Sequence, residues 1–339
     1  MRQDWQALAD APATPGALLA KLGPQARFYQ ALADSKMTPD EVEREFRRLE
    51  GQLPEALHPE TFLPVERRSL ELYLRRHWLR EVYKLDPAYV LAMNRKYGAL
   101  DWRLPQAHAI YWASRGIDVA PGQKNVHADR NIFQSLKLAF QAGRLIYLRD
   151  SETFEISPNL AILPATDRAY RDDIAKYPEQ ATVIKGAHQN FLSDAILVLY
   201  TFGRREEAAR LLADSRKLYG ARFRRNIDDF ALATLAVDMN QANYEQGLST
   251  IQGYLYNAWY AFAIGDSERA TGFETIASKL WQRFQSSVTP VAQKRRSLPP
   301  LDTLKANTIK EALKNMPPQL AANLQAALGR TTPPEADQK

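Results

Sequence analysis

Seven residues in one short stretch are of the types from which a binding groove is made: Asp101, Trp102, Arg103, His108, Tyr111, Trp112 and Arg115. His108, Trp112 and Arg115 stand four and three positions apart, so a helix through them sets all three on one face. Asp101 and Arg103 fall just before that helix, where the positive end of the helix dipole favours a carboxylate. Aromatic rings beside hydrogen-bonding side chains are the usual lining of a sugar- or peptide-binding groove. The competing arrangement is a buried polar hub, with Asp101 or Arg103 paired internally, His108 satisfied and the tryptophans packed in core.

Other chemistry is sparse. His127 and Asp129 are two apart, as are His58 and Glu60, with no third ligand close in sequence, so no metal site is expected. His188 lies on an apolar helix face and reads as a satisfied core histidine. Asp172 and Asp173, like Asp228 and Asp229, are consecutive helical residues that do not face each other. They read as solvated surface, not as the acid and base of a glycosidase. The chain has no cysteine, which removes disulfides, thiolate catalysis and sulfur-ligated zinc. No serine-nucleophile motif, phosphate-binding glycine loop or dinucleotide fingerprint occurs. No cofactor is therefore expected, and an interaction protein is favoured over an enzyme.

The formal net charge of +6, from 45 basic and 39 acidic residues in 339, is modest for the length. The basic clusters Arg67-Arg68, Arg75-Arg76, Arg222-Arg224-Arg225 and Lys294-Arg295-Arg296 mostly have acids nearby, such as Glu66, Glu71 and Asp228. A nucleic-acid footprint is normally a concentrated basic face, so solvated surfaces are expected and nucleic acid is not the expected partner. The longest apolar runs, such as 195–200, fall far short of the ~20 residues that span a bilayer. Residues 1–16 show no charged leader followed by an apolar stretch, so no signal peptide is expected. Composition assigns no compartment.

The elements that must position these residues are helical. Thr38, Pro39 and Glu41 form a capping box with proline at the first helical position, followed by a charged helix to Leu49 and a loop with Pro54, His58 and Pro64. Leu70, Leu74, Trp78 and Val82 recur every fourth residue as an apolar stripe. Helices are expected from Asp86-Pro87 to Gly98, from Pro105 to Ser114 closed by Gly116, and from Asn131 to Gln141 stopped by Gly143. Leu145 to Leu148 and Thr153 to Ile156 are β-prone runs that form a small hairpin or a plain loop. Beyond them, Ile184, His188, Phe191, Ala195, Val198 and Phe202 mark a long helix ended by Gly203. Its partner carries Ala208, Leu211, Leu212, Ser215 and Leu218 inward. A helix capped by Asn226 spans 227–239. Leu248, Ile251, Leu255, Ala258 and Phe262, then Gly265, then Ala270, Phe273, Ala277, Leu280 and Phe284 mark a second pair. Two short helices are expected over 304–315 and 318–328.

The two turns share a pattern. Gly203-Arg204-Arg205-Glu206-Glu207-Ala208 matches Gly265-Asp266-Ser267-Glu268-Arg269-Ala270 at glycine, glutamate and alanine, with aromatics before each glycine. Each resembles the turn of a tetratricopeptide hairpin, over about 35 residues. The copies stand 62 residues apart, not at the ~34-residue tandem period, so a regular superhelix is not implied. Separately, the Asp101-Trp102-Arg103 stretch resembles a motif of uncharacterised helical proteins of environmental bacteria, which implies no reaction.

The sequence thus points to an all-α fold of irregular antiparallel helix pairs, tetratricopeptide-like and α-solenoid-like, with a small β-hairpin or a plain loop near residues 144–157. Residues 1–143 form an N-terminal helical half and 144–164 a connecting loop or hairpin. Residues 165–285 form a tetratricopeptide-like half, 286–330 a linker with short helices, and 331–339 a disordered tail. The expected function is non-enzymatic: a helical scaffold binding a protein or peptide on a concave surface. The alternative is a carbohydrate-binding or glycan-processing protein whose groove takes Trp102, His108, Tyr111 and Trp112, with Trp259 or Tyr256.

Overall fold

The computed structural model describes residues 4–23, 26, 30, 34–38, 41, 63–120, 122, 124–148, 152–235, 244–287 and 298–331. These form an all-α fold with one small hairpin. The helices are α1 (Trp5–Ala9), α2 (Pro15–Leu22), α3 (Pro64–Glu81), α4 (Pro87–Tyr97), α5 (Pro105–Asp118) and α6 (Val126–Ala142). Strands β1 (Arg144–Leu148) and β2 (Thr153–Ser157) follow. Then come α7 (Leu163–Lys176), α8 (Ala181–Thr201), α9 (Arg205–Tyr219), α10 (Ile227–Leu235), α11 (Tyr244–Ala263), α12 (Ser267–Ser287), α13 (Leu301–Asn315) and α14 (Pro318–Thr331). No described helix is long and apolar enough to cross a membrane.

The chain divides into two compact units: residues 1–100 with 108–122, and residues 101–107 with 123–339. The first is built on α1 to α4 and most of α5. Its core is Leu8, Leu18, Leu70, Tyr73, Leu85, Val90 and Ile110. Arg76 ties α3 to the end of α1 by donating to the carbonyl oxygens of Ala9 (2.7 Å) and Ala11. Asp86 caps α4 by accepting from the Ala88 N–H at 2.9 Å, and Gly98 ends it at φ 101°. The Thr38–Glu41 capping box forms: the Glu41 N–H donates to Thr38 Oγ1, and the Thr38 N–H to Glu41 Oε2. The helix expected after it lies outside the described residues, as do His58, Glu60, Lys294-Arg295-Arg296, residues 288–297 of the expected linker and 332–339 of the tail.

Three expectations over residues 64–142 change. The buried face of α3 is Glu66, Leu70, Tyr73 and His77, while Trp78 and Val82 are exposed. A strict four-residue step overshoots a full turn by about 40°, so the stripe from Leu70 winds off the buried face. Gly116 does not close α5, which runs on to Asp118. The next helix starts at Val126, where the Asn125 side chain accepts from the Ala128 N–H, five residues before its apolar stripe suggested.

In the second unit, α6 packs on α7, α7 on α8 and α8 on α9. Helices α11 and α12 form the closest pair, and α13 and α14 lie on α11. Phe140, Phe191, Ile196, Leu212, Ile251, Leu255 and Leu280 are among its buried side chains, each stabilising by roughly 1.5–3 kcal/mol. The α8–α9 and α11–α12 turns carry the same bonds. The Arg204 N–H reaches Leu199 O and the Asp266 N–H reaches Ala261 O; the Gly203 and Gly265 N–H groups reach Tyr200 O and Phe262 O. Both glycines have positive φ, 75° and 81°, and Ala208 and Ala270 are fully buried. At Gly203 the backbone of α12 comes so close that a Cβ would stand 2.4 Å from Glu268 O.

On α9, Ala208, Leu212 and Ser215 face inward, but Leu218 is exposed. The three-and-four rhythm carries the inner face to Tyr219 instead. Asn226 caps α10 by accepting from the Asp229 N–H at 2.8 Å; that helix is described to Leu235.

Candidate functional site

The seven residues singled out by type and spacing fall in both compact units: Asp101, Trp102 and Arg103 in the second, His108, Tyr111, Trp112 and Arg115 in the first. Asp101 and Arg103 are paired with each other, Arg103 Nε to Oδ1 at 2.8 Å and Nη2 to Oδ2 at 2.6 Å. Together they hold one residue of the hairpin. The Leu145 N–H donates to Asp101 Oδ2 at 2.9 Å, and Arg103 Nη2 donates to Leu145 O. Burial opposes ionisation of Asp101, but the bonds from Arg103 and Leu145 outweigh it and hold its carboxyl below the usual range. Trp102, between them, is buried at 9% exposure.

In the first unit, Tyr111 is buried and its hydroxyl accepts from the Asp86 N–H at 2.9 Å. Its ring stands edge-on to both Tyr89 and Trp112 at 5.0 Å. The Arg115 guanidinium lies 4.9 Å over the Tyr89 ring, and the Tyr89 hydroxyl donates to Asp118. Burial, then Asp118, push the Tyr89 phenol up, so it stays a neutral donor. Trp112 remains 50% exposed at the edge of this cluster, and His108 is half-buried. Trp259 is buried, its Nε1 donating to Thr308 Oγ1 at 2.9 Å, which withdraws it from any groove.

The hairpin presents a surface that spacing alone did not single out. Leu145 pairs with Ile156 and Tyr147 with Phe154, which places these four side chains on one face of the two-stranded sheet. Tyr147 is 48%, Phe154 64% and Ile156 59% exposed, and the two rings stand 5.1 Å apart. The opposite face carries Ile146, Leu148 and Glu155, which line a cleft of about 400 Å³ with the α11–α12 turn. Glu155 and Arg269 form an ion pair there, each side chain 12% exposed. The Arg269 guanidinium also lies over the Phe202 and Phe273 rings at 5.4 and 5.9 Å.

Three polar constellations join residues distant in sequence. His188 is fully buried; its Nδ1 meets the Tyr219 hydroxyl at 2.6 Å and its Nε2 meets Asp167 at 2.7 Å. Tyr170 stacks on its ring at 5.2 Å. With both ring nitrogens occupied, His188 is a satisfied core histidine. Asp228 is not solvated surface. It takes the Tyr200 hydroxyl at 2.7 Å, Arg205 at 2.8 Å and Lys279 at 3.0 Å, which overcome the opposing effect of burial and hold its carboxyl well below the usual range. Asp173 is buried as well, and one of its carboxylate oxygens has no partner. Burial, then the charge of Asp129, push it up to about 6, while Asp129 itself is held by Lys176 at 2.6 Å and by the Tyr177 hydroxyl. Adjacency in sequence hid both departures, because Asp228 takes its partners from other helices and Asp173 is buried with the charge of Asp129 on α6 nearby. Among the described residues no group of three or more His, Asp or Glu side chains is placed to hold a metal ion. No family model, curated protein or solved structure matches the chain.

Proposed function

We propose that this chain is a non-enzymatic binding protein whose partner is a protein or peptide, and that the hairpin of residues 144–157 is its contact surface. The observation that carries this reading is the exposed face of Tyr147, Phe154 and Ile156. Three large apolar side chains turned to water beside one another are costly unless something covers them, and aromatic residues dominate the energetics of protein contacts. The scaffold beneath is suited to the task. The hairpin is held by Asp101 and Arg103 on one strand and by the Glu155–Arg269 pair on its inner face, so a partner meets a surface already in place. The likeness of the Gly203 and Gly265 turns to tetratricopeptide hairpins agrees with this reading, since helical arrays of that kind serve as rigid binding scaffolds. Peptides selected from a random display library against the full chain test it. Binders are expected to lose affinity at least about tenfold for a Tyr147→Ser, Phe154→Ser double variant, since each ring is a large part of the apolar contact. Binders indifferent to that variant would remove the hairpin from the account.

Trp112 favours a second reading. A half-exposed indole packed on Tyr111, whose ring also meets the Tyr89 that Arg115 and Asp118 hold, has the composition of a sugar platform. Titration with a panel of oligosaccharides should change tryptophan emission in the parent and not in Trp112→Ala. No change in the parent across the panel rejects it.

A further inference from the structure

The hairpin has two edges, and they are not alike. Leu145 gives its N–H and its carbonyl to Asp101 and Arg103, so both groups point away from β2. In an antiparallel pair the residues alternate between those that bond across the ladder and those that point outward. Leu145 and its partner Ile156 are therefore an outward pair, and so are Tyr147 and Phe154. On β1 the outward groups of Leu145 are taken by a carboxylate and a guanidinium, which imitate the acceptor and donor of a neighbouring strand, while those of Tyr147 have no partner among the described residues. On β2 the outward N–H and carbonyl groups of Phe154 and Ile156 have no partner among the described residues. Folded proteins blunt exposed edges with lysine, proline or a bulge. Strand β2, Thr-Phe-Glu-Ile-Ser, has neither lysine nor proline and pairs without a bulge.

We infer that the β2 edge takes up a short extended peptide as a third strand. This deepens the partner-binding reading above and rests on it. The outward N–H and carbonyl groups at Phe154 and Ile156 recognise peptide backbone, as other edges do in strand addition. The exposed Phe154 and Ile156 side chains select apolar residues at alternate positions of the incoming strand, on the face they share. A second copy of the chain fits this edge less well. A five-residue strand spans roughly 17 Å, and two such edges meeting bury far less than the ~1,200 Å² a stable dimer needs.

The probe is a synthetic acetylated peptide alternating valine and threonine, titrated against the full chain. It is compared with the same peptide N-methylated at the central residues facing Phe154 and Ile156, which keeps the side chains and removes main-chain donors. The parent peptide is expected to bind, and N-methylation to weaken it about tenfold or more. Ile156→Pro should weaken it similarly, because proline there removes an outward N–H and none of the ladder donors. Ile156→Val, which keeps the backbone donor, should bind nearly as the parent does. Slow exchange at the Leu145 amide in Ile156→Pro shows that the hairpin has kept its clamp. Binding untouched by both N-methylation and Ile156→Pro overturns the strand-addition mode and leaves the partner-binding reading standing. If library-selected peptides bind through Tyr147 and Phe154 while the alternating probe does not, the assigned peptide class is wrong. If no peptide of either kind binds, both fall. Dimerisation of the free chain that Ile156→Pro abolishes, without peptide binding, assigns the edge to self-association and overturns the inference.

Discussion

Leu145 gives its N–H to Asp101, and Arg103 donates to its carbonyl, so two charged side chains occupy the position of a third strand. Removing the acceptor strands a half-buried amide, which costs on the order of 1–3 kcal/mol locally. Asp101→Ala should therefore speed hydrogen exchange at the Leu145 amide about tenfold or more, and Asp101→Asn, which keeps an acceptor, should do so less. Unchanged exchange in Asp101→Ala would mean the clamp does not stabilise the hairpin. Asp173 offers a second test at this scale. Its folded pKa of about 6 lies above its ordinary value of 3.8, so the folded state binds a proton that the unfolded chain releases. Stability from this group is full below about pH 4, is lost as pH rises through about 6, and is level above that. Asp173→Asn should flatten that slope and raise stability at pH 7 by on the order of 2 kcal/mol, read by urea unfolding across pH.

The two helix turns make a graded pair of substitutions at the scale of elements. Both Gly203 and Gly265 sit at positive φ, where a Cβ costs roughly 1–2 kcal/mol. At Gly265 the space is open, but at Gly203 a Cβ meets Glu268 O at 2.4 Å. Gly265→Ala should cost about 1 kcal/mol, and Gly203→Ala clearly more, because the α12 backbone must also move. Equal losses in thermal or urea unfolding would show that the turn does not press on α12 as described. These turns were legible because glycine, the glutamate and the buried alanine recur in one pattern and each has a local physical reason. The α3 stripe misled because a repeat of four is not the period of a helix, and the true face steps by four and three through Leu70, Tyr73 and His77. The hairpin was legible as β-prone runs, but its register, and hence the face shared by Tyr147, Phe154 and Ile156, needed the pairing itself.

Over the whole molecule, composition and periodicity were enough for an all-α fold, because burial patterns are local, while the hairpin stood open against a plain loop until its pairing was seen. The polar constellations were not legible, since Asp167, His188 and Tyr219 come from three helices, as do Tyr200, Arg205 and Lys279 around Asp228. The stretch with the most suggestive residue types divides between two compact units, Asp101 to Arg103 in one and His108 to Arg115 in the other. Two of its residues, Asp101 and Arg103, hold the hairpin that the proposed function uses. In the proposed function a partner docks on that hairpin. Amide hydrogen exchange of the full chain, read residue by residue with and without a library-selected peptide, tests it most directly. New protection is expected at the Phe154 and Ile156 amides, whose N–H groups point outward, with little change at Leu145, already held by Asp101. Protection that leaves residues 153–157 unchanged and appears on other elements would contradict it.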